Sequence, residues 1–391
     1  MDGKKFNVVI AGGGSTYTPG IVKMMLEHQE DFPLNSVTLY DNDAERQAVI
    51  GEALEILMKE EAPQIHFAYT TDPETAFTGK DFCMAHIRVG KYAMRRLDER
   101  IPMKYGVVGQ ETCGPGGIAY GMRSITGMLE IIDYMEKYSP DCWMLNYSNP
   151  ASIVAEACRV LRPKAKVINI CDMPVGTRRR MAYIVGKEYD DLDVRYFGLN
   201  HFGWFTRMEY EGRDVAAEIR TYAKEHGILL PKEHIEALKK HEATGDRHAN
   251  QSWIKVWTNA ARLMELCPEY IPNTYLTYYL FPKENVEHSD PNHTRANEVM
   301  ETREKALFEG VDRYLATGEI DKKVFYAGAH GNFIADLAVA LLGDEKKKFI
   351  IIEPNNGKVP NLPDDTMIEL PAWITKNGPE LIGIEPISTF Y

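Results

Sequence analysis

The chain has 391 residues, of which 44% are hydrophobic and 26% are charged. These values are ordinary for a soluble globular protein, and the length suggests two domains or one large α/β unit. The 45 basic and 57 acidic residues give a net charge of -12, which argues against nucleic-acid binding, since that requires a basic surface stripe. An anionic small molecule is not excluded as a ligand, because a few local arginines outweigh a distant net charge.

The cysteines and the apolar segments indicate the cellular compartment. The six cysteines show no CxxC spacing, and a chain of this size does not depend on disulfides, so we expect reduced thiols in the cytoplasm. The apolar run 6–11 is too short for the core of a signal peptide and leads directly into a glycine turn. No segment is long enough to span a bilayer, so we expect no membrane association.

The first half alternates short apolar runs with amphipathic stretches, and this alternation predicts βαβ units around a parallel sheet. Thr18 suits an N-cap and the proline after it suits the first helical position, so a helix is predicted from Thr18 toward His28. Five glycines over 109–121 predict a loop on the ligand side. Further helices are predicted over 43–60, 124–138 and 151–161. Strands are predicted over 6–11, 36–40, 82–87, 143–147 and 167–170.

The character of the sequence changes near Arg195, where aromatic and histidine-rich segments begin. A polar stretch with helical character follows over about 213–248. We therefore predict one domain over 1–195 and a second domain of mixed α and β structure over 196–391. No linker rich in glycine, serine or proline separates the two halves, so we expect them to pack tightly.

A glycine-rich turn lies between the first predicted strand and the first predicted helix. A pyrophosphate can approach such a turn because no Cβ intrudes, and the helix N-terminus then faces its charge. The second strand ends at an acid placed to bind a ribose diol, which favours NAD over NADP because a 2'-phosphate would be repelled. Tyr17 stands where GxGxxG has its third glycine, so a structural turn without nucleotide is the alternative. The candidate NAD-binding residues are Gly12, Gly13, Gly14, Ser15, Thr16 and Asp41.

Polar residues follow two of the later predicted strands, at the sheet edge where α/β proteins bind ligands. Asn149 follows the first of these strands, and Cys171 and Asp172 follow the second. A thiolate and an imidazole, here Cys171 and His201, can bind a divalent metal and leave positions open for substrate oxygens. The alternative is that Cys171 is a small buried hydrophobe and that His201 is a hydrogen-bonded structural residue.

Nine segments spread along most of the chain form a specific joint pattern. They are 10–16 (IAGGGST), 40–43 (YDND), 85–95 (AHIRVGKYAMR), 108–117 (VGQETCGPGG), 146–150 (NYSNP), 169–174 (NICDMP), 198–204 (GLNHFGW), 272–275 (PNTY) and 292–298 (NHTRANE). In these nine segments the sequence resembles glycoside hydrolase family 4. The Cys-Asp-Met-Pro form is similar to that of the 6-phospho-α-glucosidases within this family.

The resemblance implies an α/β fold in which 1–195 is a Rossmann NAD-binding domain. The second domain, 196–391, would be similar to that of lactate and malate dehydrogenases and would hold substrate, metal and oligomer contacts. The family continues past Tyr391 into further helices. The implied reaction is hydrolysis of an α-glucoside phosphorylated at O6, such as maltose 6'-phosphate, by oxidation of C3 with NAD, deprotonation of C2, elimination and water addition.

The resemblance also implies cofactors, partners and residue roles. The cofactors are NAD and a divalent metal, usually Mn²⁺, the substrate is a phosphorylated disaccharide, and we expect a homo-oligomer, a dimer or a tetramer. The arginines among the matched residues are natural partners for a phosphate. The matched positions are the metal ligands Cys171 and His201, the acid Asp172, the base Tyr275 and the substrate contacts Arg95, Asn149 and Arg295.

Several of these residues have a plainer alternative role. Tyr275 lies in an aromatic cluster that could belong to the core. Arg95 could lie on a solvated helix face, and Arg295 could pair with Glu298 on the surface. The alternative functions are another family 4 glycosidase (a 6-phospho-β-glucosidase or an α-glucosidase), a NAD-dependent hydroxy-acid dehydrogenase without metal, and a non-catalytic sensor of NAD or sugar phosphate.

Overall fold

Two β-sheets organise the protein. The structure, a computed structural model, describes residues 4–233, 236, 239–240, 252–320, 325, 329–343 and 346–387. The strands are β1 (Phe6–Ala11), β2 (Leu34–Tyr40), β3 (His66–Thr70), β4 (Phe82–Ala85), β5 (Trp143–Asn146), β6 (Val167–Asn169), β7 (Asp193–Leu199), β8 (Phe202–Tyr210), β9 (Arg213–Asp214), β10 (Ile271–Pro272), β11 (Lys347–Pro354), β12 (Met367–Thr375) and β13 (Gly378–Leu381).

The larger sheet has nine strands in the order β13-β12-β11-β6-β5-β4-β1-β2-β3. Strands β1 to β6 are parallel, and β11, β12 and β13 extend the sheet with antiparallel pairing. The order 3-2-1-4-5-6 of the parallel strands is that of dinucleotide-binding sheets. The predicted α/β class with a Rossmann sheet is therefore confirmed. The smaller sheet has the order β10-β8-β7, and β9 pairs with β8.

Residues 8–11 of β1 form a continuous apolar run because both faces of the strand are buried. Side chains alternate between the two faces of a strand. In β1, Val8 and Ile10 pack into one hydrophobic cluster, and Val9 and Ala11 pack into another on the opposite face. Burial on both faces explains why no polar residue alternates with these side chains.

The helices connect the strands and continue through the second half of the chain. In the described residues, no helix is both long and apolar enough to cross a membrane. The α-helices of at least six residues are Thr18–Glu27, Ala44–Glu61, Lys91–Met103, Gly114–Tyr138, Ala151–Leu161, Asp172–Ile184, Ala216–His226, Ser252–Thr258, Ala260–Leu266, Pro282–Glu287, Lys305–Thr317 and Ala329–Leu342. Shorter helical segments are Pro73–Phe77, Thr274–Leu276, Thr277–Leu280, Arg295–Val299 and the π-helical Met300–Glu304.

Except for the helix over 124–138, the predicted elements of the first half lie within a few residues of the observed ones. The predicted N-cap of the first helix is wrong by one residue: Tyr17 is the N-cap, and Thr18 is already helical. The Thr18 hydroxyl donates a hydrogen bond to the Gly12 carbonyl oxygen (3.1 Å), so it fastens the helix to the glycine turn and does not cap a helix N–H.

The helix predicted over 124–138 begins ten residues earlier, at Gly114. The glycines of 109–121 therefore lie partly in a helix, and the prediction of a loop on the ligand side is wrong for that part. Because these glycines lack a side chain, other backbone segments of the protein can approach them closely. A Cβ on Gly109 would overlap the Glu99 carbonyl oxygen, and a Cβ on Gly116 would overlap that of Asp98.

The two halves of the chain share the larger sheet. Strands β11, β12 and β13 belong to the second half, and β11 pairs with β6 of the first half. This pairing agrees with the expected tight packing, while the domain limits 1–195 and 196–391 stay a prediction. Of the polar stretch 213–248, the structure shows the helix Ala216–His226, and residues 241–248 lie outside the described ranges.

Replacement of Gly109 by alanine should destabilise the protein. Overlap with rigid backbone cannot be relieved by a side-chain rotation, and overpacking of this kind costs about 1–3 kcal/mol. Gly176 is the matched control, because its Cβ position is open and it lies inside the helix Asp172–Ile184, where alanine is favoured by about 0.5–1 kcal/mol. Urea unfolding of both variants tests this, and equal stabilities of Gly109→Ala and Gly176→Ala would contradict it.

All six cysteine side chains are buried thiols, and none forms a disulfide, as predicted from the sequence.

Candidate active site

One cavity of about 1110 Å³ contains almost all the predicted site residues. It lies at the carboxyl ends of the parallel strands, the edge where sheets of this type bind ligands. Of the predicted site residues, Gly13 alone does not line the cavity. A Cβ on Gly13 would overlap the side chain of Gln47, so this glycine is needed for packing of the turn against the next helix.

The glycine turn and Asp41 form one end of the cavity. Gly12 has a φ of 96°, a conformation that a side chain disfavours. The turn leads into the helix Thr18–Glu27, and the N-terminus of a helix favours anions. The Asp41 carboxylate accepts hydrogen bonds from the backbone N–H of Gly14 (2.8 Å) and of Asp43 (3.0 Å). These bonds hold the carboxylate beside the turn, where it can accept from the hydroxyls of a ribose.

Arg46 lies next to Asp41 but does not offer a free cation for a 2'-phosphate. Its Nε donates to the Gly14 carbonyl oxygen (2.7 Å), and its Nη2 forms an ion pair with Glu304 (2.6 Å). A neutralised arginine beside a ribose-binding acid suits NAD better than NADP.

Cys171 and His201 are brought together from different sheets. Cys171 follows β6 in the larger sheet, and His201 lies in the turn between β7 and β8 of the smaller sheet. The Cys171 Sγ and the His201 Nε2 are 3.5 Å apart, and both side chains are buried. The sequence placed Cys171 at a ligand-binding edge but gave no such position for His201, because their contact depends on the packing of the two sheets.

The chemistry of this pair fits a divalent metal. Burial lowers the pKa of His201 to about 4, so the imidazole is neutral and can bind a cation. Its Nδ1 lies 2.8 Å from the Thr112 hydroxyl, which orients the ring with Nε2 toward Cys171. Thr112 was missed in the sequence because nothing in its own surroundings shows this contact.

His201 also has an unusual backbone conformation. Its φ is 65°, in the left-handed region that residues other than glycine rarely adopt. A conformation that costs free energy is retained where the surrounding structure requires it, often at functional sites. In the described ranges, no group of three or more histidine, cysteine or acidic side chains could hold a metal, so a cation on Cys171 and His201 would take its other ligands from bound oxygens.

Asp172 and Tyr275 lie beside the metal-capable pair. Asp172 begins the helix Asp172–Ile184, for which Cys171 is the N-cap. The ring centroid of Tyr275 is 4.4 Å from that of His201. Burial raises the pKa of Tyr275 well above its usual value, so the phenol is protonated in the protein without metal. Tyr275 lines the cavity, which answers the alternative that it belongs only to the core.

Arg95 is buried and not on a solvated helix face, so that alternative is wrong. It forms ion pairs with Glu99 (2.7 Å) and with Glu111 (3.1 Å). Glu111 also binds Arg88 (2.7 Å). Burial alone would raise the pKa of Glu111, but the two arginines lower it to about 2, so the carboxylate is charged. Arg88, Glu99 and Glu111 had no signal in the sequence that singled them out.

Arg295 and Asn149 complete the set of predicted substrate contacts. Arg295 forms an ion pair with Glu298 (2.7 Å), as its plainer alternative proposed, and it also lines the cavity. Asn149 lines the cavity next to the cis Asn149–Pro150 peptide bond. Their roles as substrate contacts stay predictions.

A buried acid of the second half belongs to a hydrogen-bond network next to the metal-capable pair. Glu369, on β12, accepts a hydrogen bond from the Asn200 side chain (3.3 Å) and lies beside the Tyr196 hydroxyl. The same hydroxyl accepts from Asn273 (3.0 Å), whose side-chain oxygen accepts from the N–H of Tyr275 (3.0 Å). The network thus links the residue before His201 to the backbone of Tyr275.

The comparisons with known proteins identify the family of the chain. The profile described as Family 4 glycosyl hydrolase matches residues 7–187, and that of the Family 4 glycosyl hydrolase C-terminal domain matches residues 196–391. The chain therefore belongs to the family 4 glycosyl hydrolases, as the resemblance of its motifs predicted.

The similar proteins include a maltose-6'-phosphate glucosidase of Bacillus subtilis (strain 168), 52% identical over 392 residues, or 100% of this chain and 85% of the relative. A crystal structure of a 6-phospho-alpha-glucosidase from gut microorganisms with NAD and Mn²⁺ is 41% identical, with a TM-score of 0.91 over 99% of this chain and 86% of that chain. Another structure, with NAD and glucose-6-phosphate, is 42% identical with a TM-score of 0.92 over the same shares.

A more distant likeness concerns the fold alone. Lactate dehydrogenase from Eimeria maxima is 14% identical, with a TM-score of 0.55 over 99% of this chain and 91% of that chain. The expected kinship of the fold with lactate dehydrogenase is thus confirmed.

Replacement of Glu369 by glutamine should make the metal-free protein less sensitive to alkaline pH. Burial raises the pKa of Glu369 from 4.5 to about 8. Between these values the unfolded chain has released a proton that the folded protein keeps, so stability falls as pH rises, by up to about 1.4 kcal/mol per pH unit. The free energy of unfolding of Glu369→Gln, relative to that of the wild type, should therefore be higher at about pH 8 than at about pH 5.

The exposed Glu265 provides the control for this experiment. Glu265→Gln should follow the wild type at every pH. A constant difference between Glu369→Gln and wild type over this range would contradict a raised pKa at Glu369.

Proposed function

We propose that this protein hydrolyses α-glucosides phosphorylated at O6, such as maltose 6'-phosphate, with NAD and a divalent metal, preferably Mn²⁺. The observation that carries the proposal is the single cavity that joins the dinucleotide-type turn at Gly12 to Cys171, Asp172, His201 and Tyr275. A hydroxy-acid dehydrogenase needs no thiol and imidazole pair beside its nucleotide.

The similar proteins support the choice of substrate and cofactors. The relative from Bacillus subtilis is a maltose-6'-phosphate glucosidase, and the two crystal structures contain NAD with Mn²⁺ or with glucose-6-phosphate. The residues of this chain fit those groups. Gly12, Gly14 and Asp41 would hold the dinucleotide, and Cys171 and His201 would hold the cation.

The protein's own side chains then have distinct tasks. When bound, NAD accepts a hydride from C3 of the sugar and later returns it, and the divalent cation polarises the sugar oxygens as a Lewis acid. Tyr275 would take the C2 proton, which becomes acidic beside a C3 ketone. Burial disfavours the phenolate form that would accept this proton, and nearby positive charge favours it. The contact of the Tyr275 ring with His201 places the phenol beside the metal-capable pair.

Asp172 would protonate the departing glycosidic oxygen. It lies at the start of a helix, directly after Cys171, so acid and cation site are fixed by adjacent residues of one chain segment. The same carboxylate can then accept a proton from the water that adds at C1, which restores the acid for the next turnover. The proposed proton donor, Asp172, and the proposed proton acceptor, Tyr275, thus come from different secondary-structure elements.

Hydrolysis of 4-nitrophenyl α-glucoside 6-phosphate should require both NAD and Mn²⁺. Protein stripped of nucleotide and metal is expected to be inactive, and addition of both should restore release of nitrophenol. NADH should not accumulate, because each turnover returns the hydride. Nitrophenol and NADH are followed together by absorbance.

Three results would contradict this proposal. They are full activity of the stripped protein, turnover confined to β-anomers, and NADH that rises in step with product. The last of these would favour the hydroxy-acid dehydrogenase. Binding of NAD and sugar phosphate without any turnover would favour the sensor.

Replacement of Asp172 by asparagine should affect poor leaving groups most. Glucose leaves maltose 6'-phosphate only if its oxygen is protonated, whereas nitrophenolate leaves without help. We expect kcat/KM to fall about 10²- to 10⁴-fold for maltose 6'-phosphate and less than about tenfold for the nitrophenyl substrate. The exposed Asp365 provides a charge-matched control, and Asp365→Asn should leave both values unchanged. Equal losses on the two substrates in Asp172→Asn would exclude Asp172 as the acid.

A further inference from the structure

The arginines that line the cavity differ in their charge partners. Four of the five form ion pairs with carboxylates, so their charges are compensated within the protein. For the fifth, Arg303, no carboxylate of the described ranges lies within 4.0 Å. The four compensated pairings are Arg46 with Glu304, Arg88 with Glu111, Arg95 with Glu99 and Glu111, and Arg295 with Glu298.

Arg303 is held by neutral hydroxyl groups. Its Nη1 donates to the Tyr17 hydroxyl and its Nη2 to the Tyr92 hydroxyl (3.2 Å), while the guanidinium carbon lies 4.4 Å from the centre of the Tyr17 ring. Its Nε is buried and has no hydrogen-bond partner among the residues that the structure describes. A half-buried cation without an anion is unfavourable, so this arrangement is best explained by a ligand that supplies the negative charge.

The local backbone is shaped to present this arginine. Arg303 lies in the π-helical segment Met300–Glu304, between the helices Arg295–Val299 and Lys305–Thr317. A π-turn inserts an extra residue into a helix and changes the direction of the side chains around it, and such turns are frequent at functional sites. Here the turn lets Glu304 reach Arg46 while Arg303 reaches Tyr17.

We propose that Arg303 binds a phosphate ester anion and that this anion is the 6-phosphate of the sugar. The dinucleotide pyrophosphate already has the glycine turn and the helix N-terminus to compensate its charge. The two arginines named as substrate contacts from the resemblance, Arg95 and Arg295, are each paired with carboxylates. Tyr17, Asp172 and Arg303 line the same cavity, so Arg303 faces the cavity in which the sugar would react.

This inference rests on the proposed function and is tested by binding as well as by activity. Titration calorimetry with glucose 6-phosphate, in the presence of NAD and Mn²⁺, compares wild type with Arg303→Met. Loss of a charge-assisted contact should weaken glucose 6-phosphate binding about 10- to 100-fold. NAD affinity should stay within about threefold. Arg159→Met is the control, because Arg159 pairs with Glu156 outside the cavity and its loss should change neither affinity.

Two further variants show whether the charge or the shape of the Arg303 side chain determines the affinity for glucose 6-phosphate. Arg303→Lys should recover most of the affinity for glucose 6-phosphate, whereas Arg303→Gln should behave as Arg303→Met. If Arg303→Met does not fold, these two variants make the comparison. In assays, the loss of kcat/KM should be confined to the phosphorylated nitrophenyl glucoside, with residual hydrolysis of the unphosphorylated one unchanged.

Two results would overturn the inference. One is unchanged affinity for glucose 6-phosphate in Arg303→Met. The other is a fall in NAD affinity with equal losses on both substrates, which would assign Arg303 to the pyrophosphate. A wild-type protein that binds glucose 6-phosphate through Arg303 but hydrolyses no glucoside would refute the proposed function alone.

Discussion

The contact between Cys171 and His201 is the interaction on which the site depends. Cys171 follows a parallel strand of the larger sheet, whereas His201 lies in a hairpin turn of the smaller sheet, and 3.5 Å separates the sulfur from the Nε2. The two proposed metal ligands thus come from different sheets. A cation could bind between them only once the sheets are packed, and the hydrogen bond from Asn200 to Glu369 reinforces this packing at the same turn.

Most of the arginines around the cavity are paired with acids, and these pairs fix the geometry of its wall. Arg88 and Arg95 share Glu111, whose low pKa keeps it ionised, and Arg95 also pairs with Glu99, so two acids balance the two arginines. Buried ion pairs contribute little net stability when compared with apolar residues, but they fix geometry because breaking one leaves an uncompensated charge. Such a wall can position a sugar without attracting every anion.

The sequence predicted the parts of the site that depend on local order. Strand ends can be read from apolar periodicity, and parallel strands place their carboxyl ends at one edge, so the approach of Asn149 and Cys171 to the glycine turn could be foreseen. The pairing of Arg95 with Glu111 could not, because Glu111 is sixteen residues away across a loop. Glu369 and the π-turn at Arg303 were missed because β12 and the second half gave no clear periodicity.

The distribution of charge is compatible with recognition of the proposed phosphorylated sugar by a protein with a net charge of -12. Exposed charges act over about 8–10 Å at physiological salt, so distant surface acids repel a ligand only weakly. Inside the cavity, four arginines pair with carboxylates, whereas no carboxylate of the described residues lies within 4.0 Å of Arg303. A glucoside without phosphate would leave this cation unpaired in a partly dry site. Discrimination then comes from the cost of burying an unsatisfied charge as much as from attraction to the phosphate.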